Sequence, residues 1–427
     1  MRPLLWPALL VTILTGMGFA GLKFVLIGEI ALDFDRENPP HMAYAWMDQI
    51  LHNAIRLDIV DEAITQGLAA VLTSGVLVGF LINSPLAGAW RVSRLFVISS
   101  ALVAVGTLLT LRFNPWLIAW LVGIAYGTAC AARGKAVPLL AAATGRSNTA
   151  VSGLINASLV ISLLLGTFCG MQLHAHLQEK WQRHAVLFVF MVIATLISFK
   201  VDPPEPKPIP FTTGMRDLLR GTTTMFRGYW ALLVGGGLAW GVASAAVLAS
   251  FIDAITRLNL KPEKAVFLVI FPMVGAILGN LASHKMERRR WVILGYLGLA
   301  ACIYFFQYVV QGMFTGAVMM LVIGFCFAAP TNVLDARLLA AAAAEGQPGL
   351  GSTVMSLIHN CFILLIGSGL SLALFLGVMT AAEQFTSLAA VCVVICVVVL
   401  KTQIKDRVGP GTATLVKRQA TGVPEGA

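Results

Sequence analysis

Asp202-Pro203-Pro204-Glu205-Pro206-Lys207-Pro208-Ile209-Pro210 lies near the middle of the 427-residue chain. Proline lacks an amide donor and clashes with the preceding turn, so a run this dense in proline cannot be helix. It reads as an extended spacer. On both sides of it the chain is almost continuously apolar. Six apolar runs precede it, near 4–32, 63–87, 95–111, 115–143, 150–173 and 185–200. Six follow, near 229–256, 264–284, 291–310, 314–340, 353–377 and 384–401. Each is of the order of 20 residues, the length that crosses about 30 Å of hydrocarbon as a helix. The expected fold is an all-α polytopic membrane protein with twelve transmembrane helices in two six-helix lobes.

Composition agrees with that outline. The chain is 58% hydrophobic and 12% charged, with a mean hydropathy of +0.84. Soluble domains are about one quarter charged, so a cytosolic enzyme is excluded. A transmembrane β-barrel would alternate polar and apolar residues along each strand, whereas these runs are continuous. The expected division is an N-terminal lobe over 1–200, a linker over 201–228, a C-terminal lobe over 229–403 and a tail over 404–427. Within the linker, Met215 to Phe226 interleaves Arg216 and Arg220 with Leu218, Leu219 and Met225. That pattern suits an interfacial helix lying on the membrane. The tail, rich in Lys, Gly and Thr, reads as a mobile basic segment near anionic lipid.

The formal net charge is +10, and its distribution says more than its sum. With both termini inside, the cytoplasmic segments hold 19 of the 30 basic residues, the outer segments 8 and the spans 3. The positive-inside rule therefore puts both termini in the cytoplasm, and no nucleic-acid partner is called for. The apolar run after Met1-Arg2-Pro3 continues to about Leu32 without a cleavage site, so it reads as the first span and not as a signal peptide. All seven cysteines fall inside apolar runs with no CxxC pair, as small buried residues do. The first outer loop, 33–62, is long and acidic. Its stretch His41 to Ile64 can be helical, either as an interfacial helix or as a lid for an amphiphile.

Gly75/Gly79, Gly123/Gly127, Gly166/Gly170, Gly275/Gly279 and Gly312/Gly316 are GxxxG pairs. Such pairs let helix backbones approach closely in lipid, and several fall at matching places in the two halves. Ionisable residues within spans are costly, which makes each a functional candidate. Lys23 and Glu29 share the first span but lie about 240° apart around a helix. Arg133 and Lys135, in the fourth, are about 200° apart, so only one points squarely into a central cavity. Asp253 falls near the outer end of the seventh span. Asp335 and Arg337, near the inner end of the tenth, read as an ion pair or gate. Asn156, Asn332 and the adjacent His359 and Asn360 are the main uncharged polar candidates. Three cations (Lys23, Arg133, Lys135) against one carboxylate (Glu29) in the N-terminal lobe favour an anionic group such as phosphate or carboxylate. Walker A, HExxH, GxSxG and the His-x4-Asp acyltransferase pair are all missing, which argues against ATP-driven transport, catalysis or a metal or other cofactor.

The six-plus-six outline resembles the major facilitator superfamily. In that family the second and third helices are joined by Gly-x-x-x-Asp and basic residues. Here the stretch is Ser84-Pro-Leu-Ala-Gly88-Ala-Trp-Arg91-Val-Ser-Arg94, with glycine where the acid is expected. The fourth and fifth spans are similar to the bacterial lysophospholipid transporter branch. The matching residues are Gly123-Ile-Ala-Tyr-Gly127, Arg133-Gly-Lys135, Thr144-Gly145, Ser152-Gly153-Leu-Ile-Asn156-Ala-Ser158 and Leu165-Gly166. Trp240-Gly241 and Pro330-Thr-Asn332-Val-Leu334 also look similar. Lys135 falls on the branch's lysine, and Asn156 stands at its glutamate.

The resemblance implies a secondary transporter of the bacterial inner membrane. It would move a lysophospholipid or similar anionic amphiphile by alternating access, with membrane lipids and a cytoplasmic-leaflet acyltransferase as partners. The alternative is a major facilitator carrier of a small organic anion or drug. Lys23, Arg133, Lys135, Asn156 and Asn332 are the expected substrate-binding residues. Glu29, Asp335, Arg337, His359 and Asn360 are the expected coupling or gating residues.

Overall fold

The computed structural model describes residues 4–35, 71–82, 86, 89–205, 211–258, 262–344, 348–375 and 378–401. The outer loop beyond residue 35, the second part of the proline run and the tail lie outside the described residues. The first six helices are α1 (Leu5–Asp35), α2 (Val71–Ile82), α3 (Val92–Leu109), α4 (Pro115–Thr144), α5 (Asn148–His176) and α6 (Lys180–Ser198). The remaining six are α7 (Phe211–Thr256), α8 (Pro262–Ala282), α9 (Arg289–Val309), α10 (Met313–Ala344), α11 (Pro348–Phe375) and α12 (Ala381–Lys401). Among the described residues, nine segments are long and apolar enough to cross a membrane, and Val71–Ile82 and Thr353–Gly367 are shorter apolar helices. The all-α polytopic class expected from the sequence is the one observed.

Local chemistry sets several boundaries. Asn114 caps α4, its side chain accepting from the Trp116 and Leu117 amides, and Pro115 sits in the first turn, where its missing amide costs nothing. The same helix stops at Gly145, in the left-handed region at φ 68°, a conformation that glycine adopts without a Cβ clash. Ser147 then caps α5 by accepting from Ala150. The stretch expected as an interfacial helix is helical. Residues 211–256 form one helical run, interrupted at Tyr229 (φ −127°, ψ 21°). The amphipathic stretch and the seventh span are therefore two helices that meet at a kink.

Two separate apolar cores follow from this order. One gathers Leu22, Val25, Val103, Val122, Leu187 and Met191 from the first half. The other gathers Val242, Tyr296, Ile303, Ile323, Phe385 and Ile395 from the second. Within each half, glycines set the closest approach. A Cβ on Gly123 or Gly127 of α4 would run into the Leu72 and Val76 carbonyls of α2, while Gly75 and Gly79 lie against α4 in turn. In the second half a Cβ on Gly275 or Gly279 of α8 would collide with the Leu321 and Phe325 carbonyls of α10. Close backbone contact of this kind is how helices associate where no hydrophobic driving force separates them from lipid.

Candidate functional site

The α4–α5 turn, the α8–α9 turn and residues 201–205 mark one end of the bundle, the linker end. Here the two halves meet. A shared apolar cluster contains Leu5, Leu9, Val92, Phe96, Leu140, Val151 and Val201 of the first half together with Leu339 of α10, and Met355 of α11 packs against it.

Beside that cluster Asn332 of α10, 1% exposed, joins the halves by hydrogen bonds. Its Oδ1 accepts from Ser152 Oγ at 2.7 Å and from Asn156 Nδ2 at 2.8 Å. Its Nδ2 donates to the Thr149 carbonyl at 3.2 Å and to Ser283 Oγ at 2.6 Å. That uses all four of the amide's ordinary hydrogen bonds. The close approach of α5 to α8 follows from Gly153, where a Cβ would collide with the Asn280 carbonyl. Asn156 and Asn332 are thus brought together, in a contact between the halves.

Arg133 and Lys135 leave α4 in different directions, as their spacing requires. Lys135 donates to Glu205 Oε2 at 2.5 Å and to the Trp90 carbonyl at 2.8 Å. The Lys135 and Glu205 side chains are only 6% and 8% exposed. Glu205 belongs to the opening proline run and was not among the expected site residues. The second glutamate oxygen accepts from the Val92 amide at 2.6 Å. It thereby satisfies an orphan donor at the start of α3, whose N-cap, Arg91, makes no side-chain cap bond. Nearer the surface, Asp202 pairs with Arg91 at 3.2 Å.

Arg133 is buried, 5% exposed. Its guanidinium lies 5.0 Å from the centre of the Tyr126 ring and donates to Cys130 Sγ. Tyr126 is in turn stacked on Phe19 of α1, with centroids 3.9 Å apart and planes 4° apart. Among the described residues no carboxylate pairs with Arg133, and one of its terminal nitrogens has no hydrogen-bond partner. The arrangement is a charged donor fork with an aromatic ring beside it.

In the second half the structure brings Asp335 and His359 together, Oδ1 to Nε2 at 3.4 Å, both buried. The Trp240 ring lies 5.9 Å from the His359 ring and meets Phe327 edge-on at 5.0 Å. Gly236 gives the pair room, since a Cβ there would come within 2.9 Å of His359 Nε2. Asp335 and Arg337 take separate partners: Arg337 donates to the Glu287 carbonyl while Asp335 faces His359. Two residues of separation on a helix turn the side chains roughly 200° apart, which explains the division. Asn360 donates back to the Ser356 carbonyl at 2.8 Å, an intrahelical bond. Lys23 is half-buried on α1, and the Glu29 side chain lies outside the described residues. At the far end Asp253 is held by Arg257 at 2.7 Å.

A family profile described as Major Facilitator Superfamily matches residues 8–368. No curated protein matches the sequence significantly. Among solved structures, the human organic anion transporter MFSD10 (TETRAN) superposes with a TM-score of 0.74 at 14% identity, over 93% of this chain and 99% of that one. The proton:xylose symporter XylE, bound to 6-bromo-6-deoxy-D-glucose, superposes with a TM-score of 0.59 at 11% identity, over 93% and 96%. At these identities the likeness is one of fold.

Proposed function

We propose a cargo on one established premise: the chain belongs to the major facilitator superfamily and is a transporter, not an enzyme. The cargo is an organic anion carrying an aromatic or apolar part, and Arg133 binds its carboxylate or phosphate. The single observation behind this reading is the buried guanidinium of Arg133, with a donor unused and, among the described residues, no carboxylate beside it. A charge held there without a counter-ion is costly, and an incoming anion offsets that cost. Tyr126 and Phe19 supply an apolar face next to the charge. Transport of organic anions by the human structural neighbour agrees in sign.

A lysophospholipid is the specific member of this class suggested by the motifs around Arg133 and Asn156. The linker end, where basic residues concentrate, faces the cytoplasm in this reading, and the membrane is a bacterial inner membrane. The Asn332 hub and the apolar cluster around Leu339 close that side. The Asp335–His359 pair is the coupling candidate of the second half.

Binding tests the proposal. Purified protein is titrated with a monoacyl glycerophospholipid, an aromatic carboxylate and an organic cation, read by tryptophan fluorescence. The anions bind and the cation does not, and Arg133→Met weakens anion binding about 10–100-fold, the loss expected from about 1.5–3 kcal/mol of charged hydrogen bonding. Equal affinity in the Arg133→Met protein would remove the site. Binding of the carboxylate without the lipid would narrow the cargo to small organic anions.

A further inference from the structure

We propose that Glu205, in the linker between the two halves, is a positioning residue that holds the linker end closed through Lys135. The inference rests on the two-lobed fold and is independent of the cargo.

The geometry places one carboxylate at two junctions. One oxygen takes the Lys135 ammonium of α4 at 2.5 Å, and the other takes the Val92 amide that starts α3 at 2.6 Å. The same ammonium holds the Trp90 carbonyl just before α3 at 2.8 Å. Four residues earlier Val201, fully buried, enters the apolar cluster where Leu339 of α10 meets α1, α3, α4 and α5. The root of the linker is therefore part of the seal between the halves. Lys135 stands among the α4 residues Ala132, Ala136, Val137 and Leu139, which line that seal.

Opening this end separates Leu339 and Met355 from the cluster and admits water to the residues around Lys135. The pair is then hydrated. Closed, it is dry, and each charge depends on the other. Removing Glu205 alone leaves an uncompensated ammonium buried in the closed state, a far larger penalty than in an open, wet state. Removing both charges takes the penalty away again. The exposed Arg91–Asp202 pair, with side chains 71% and 49% exposed, contributes little to either state.

The test uses the full chain in lipid nanodiscs, with spin labels introduced at exposed positions 146 and 288 through non-canonical amino acids and read by pulsed dipolar spectroscopy. These positions lie on the α4–α5 turn and before α9, one in each half. Glu205→Gln raises the ratio of long to short distances about tenfold or more. Lys135→Met combined with Glu205→Gln returns it to the parent value, because glutamine still accepts from the Val92 amide and no charge is left buried. Asp202→Asn leaves it unchanged. If Glu205→Gln does not accumulate, Glu205→Asp, which keeps the charge but shortens its reach, shifts the ratio the same way by less. An unchanged distribution in the single variants, or a double variant as open as Glu205→Gln, overturns the proposal.

Discussion

Arg133 and Lys135 show how two cations of the same helix turn acquire different work. Lys135 is neutralised by Glu205, whereas Arg133 has an aromatic ring and a thiol beside it and, among the described residues, no carboxylate. A lysine at position 133 would keep the charge and lose the planar fork, so Arg133→Lys is expected to bind anions more weakly than the parent and more tightly than Arg133→Met in the fluorescence titration. Asn332 carries the other residue-scale prediction. Asn332→Ala leaves Ser152, Asn156 and Ser283 short of a buried partner. The cost is about 1–3 kcal/mol, seen as a melting temperature lowered by several degrees in detergent. The sequence displays these residues as intramembrane polar candidates, because their cost in lipid makes them conspicuous. Their partners are not legible there. Glu205 sits 70 positions from Lys135 in a proline run without periodicity, and nothing local says that it turns inward.

At the scale of elements, the glycine spacing was the signal read from the sequence, and the caps emerge with the structure. Asn114-Pro115 and Gly145 bound α4 because an orphan amide needs an acceptor and a left-handed residue must lack a Cβ clash. Gly145→Ala is expected to cost about 1–2 kcal/mol, measurable as a lower melting temperature with unchanged anion affinity. The GxxxG pairs divide by their surroundings. Gly275→Leu drives a side chain into the Leu321 backbone of α10 and should abolish monodisperse protein in size-exclusion chromatography. Gly312→Ala meets nothing within 4 Å and should leave the profile unchanged. Spacing alone gave both pairs equal weight, since it records neither the facing helix nor its distance. The geometry of the junction at Tyr229 was hidden for a related reason. Amphipathic and apolar patterns change there, and a pattern change looks the same whether the backbone breaks or only kinks.

For the whole molecule, the outline followed from the proline run and from apolar runs of membrane-spanning length, because bilayer thickness leaves a helix few alternatives. The two cores, the paired glycines of each half and the superposition on MFSD10 express that same outline in three dimensions. Substrate class depends instead on where a few charges end up after partners are taken, and only the folded chain decides that. Of the three cations within spans, the structure leaves Arg133 as the one whose donor is unused in a buried site. Flux in proteoliposomes is the most direct test of the account. A labelled monoacyl glycerophospholipid, a labelled aromatic carboxylate and a labelled organic cation are offered to the parent and to Arg133→Met. The parent is expected to move at least one anion saturably and not the cation, and anion flux is expected to be lost in an Arg133→Met protein that melts at the parent temperature. Preference for the cation, or undiminished anion flux in Arg133→Met, would contradict it.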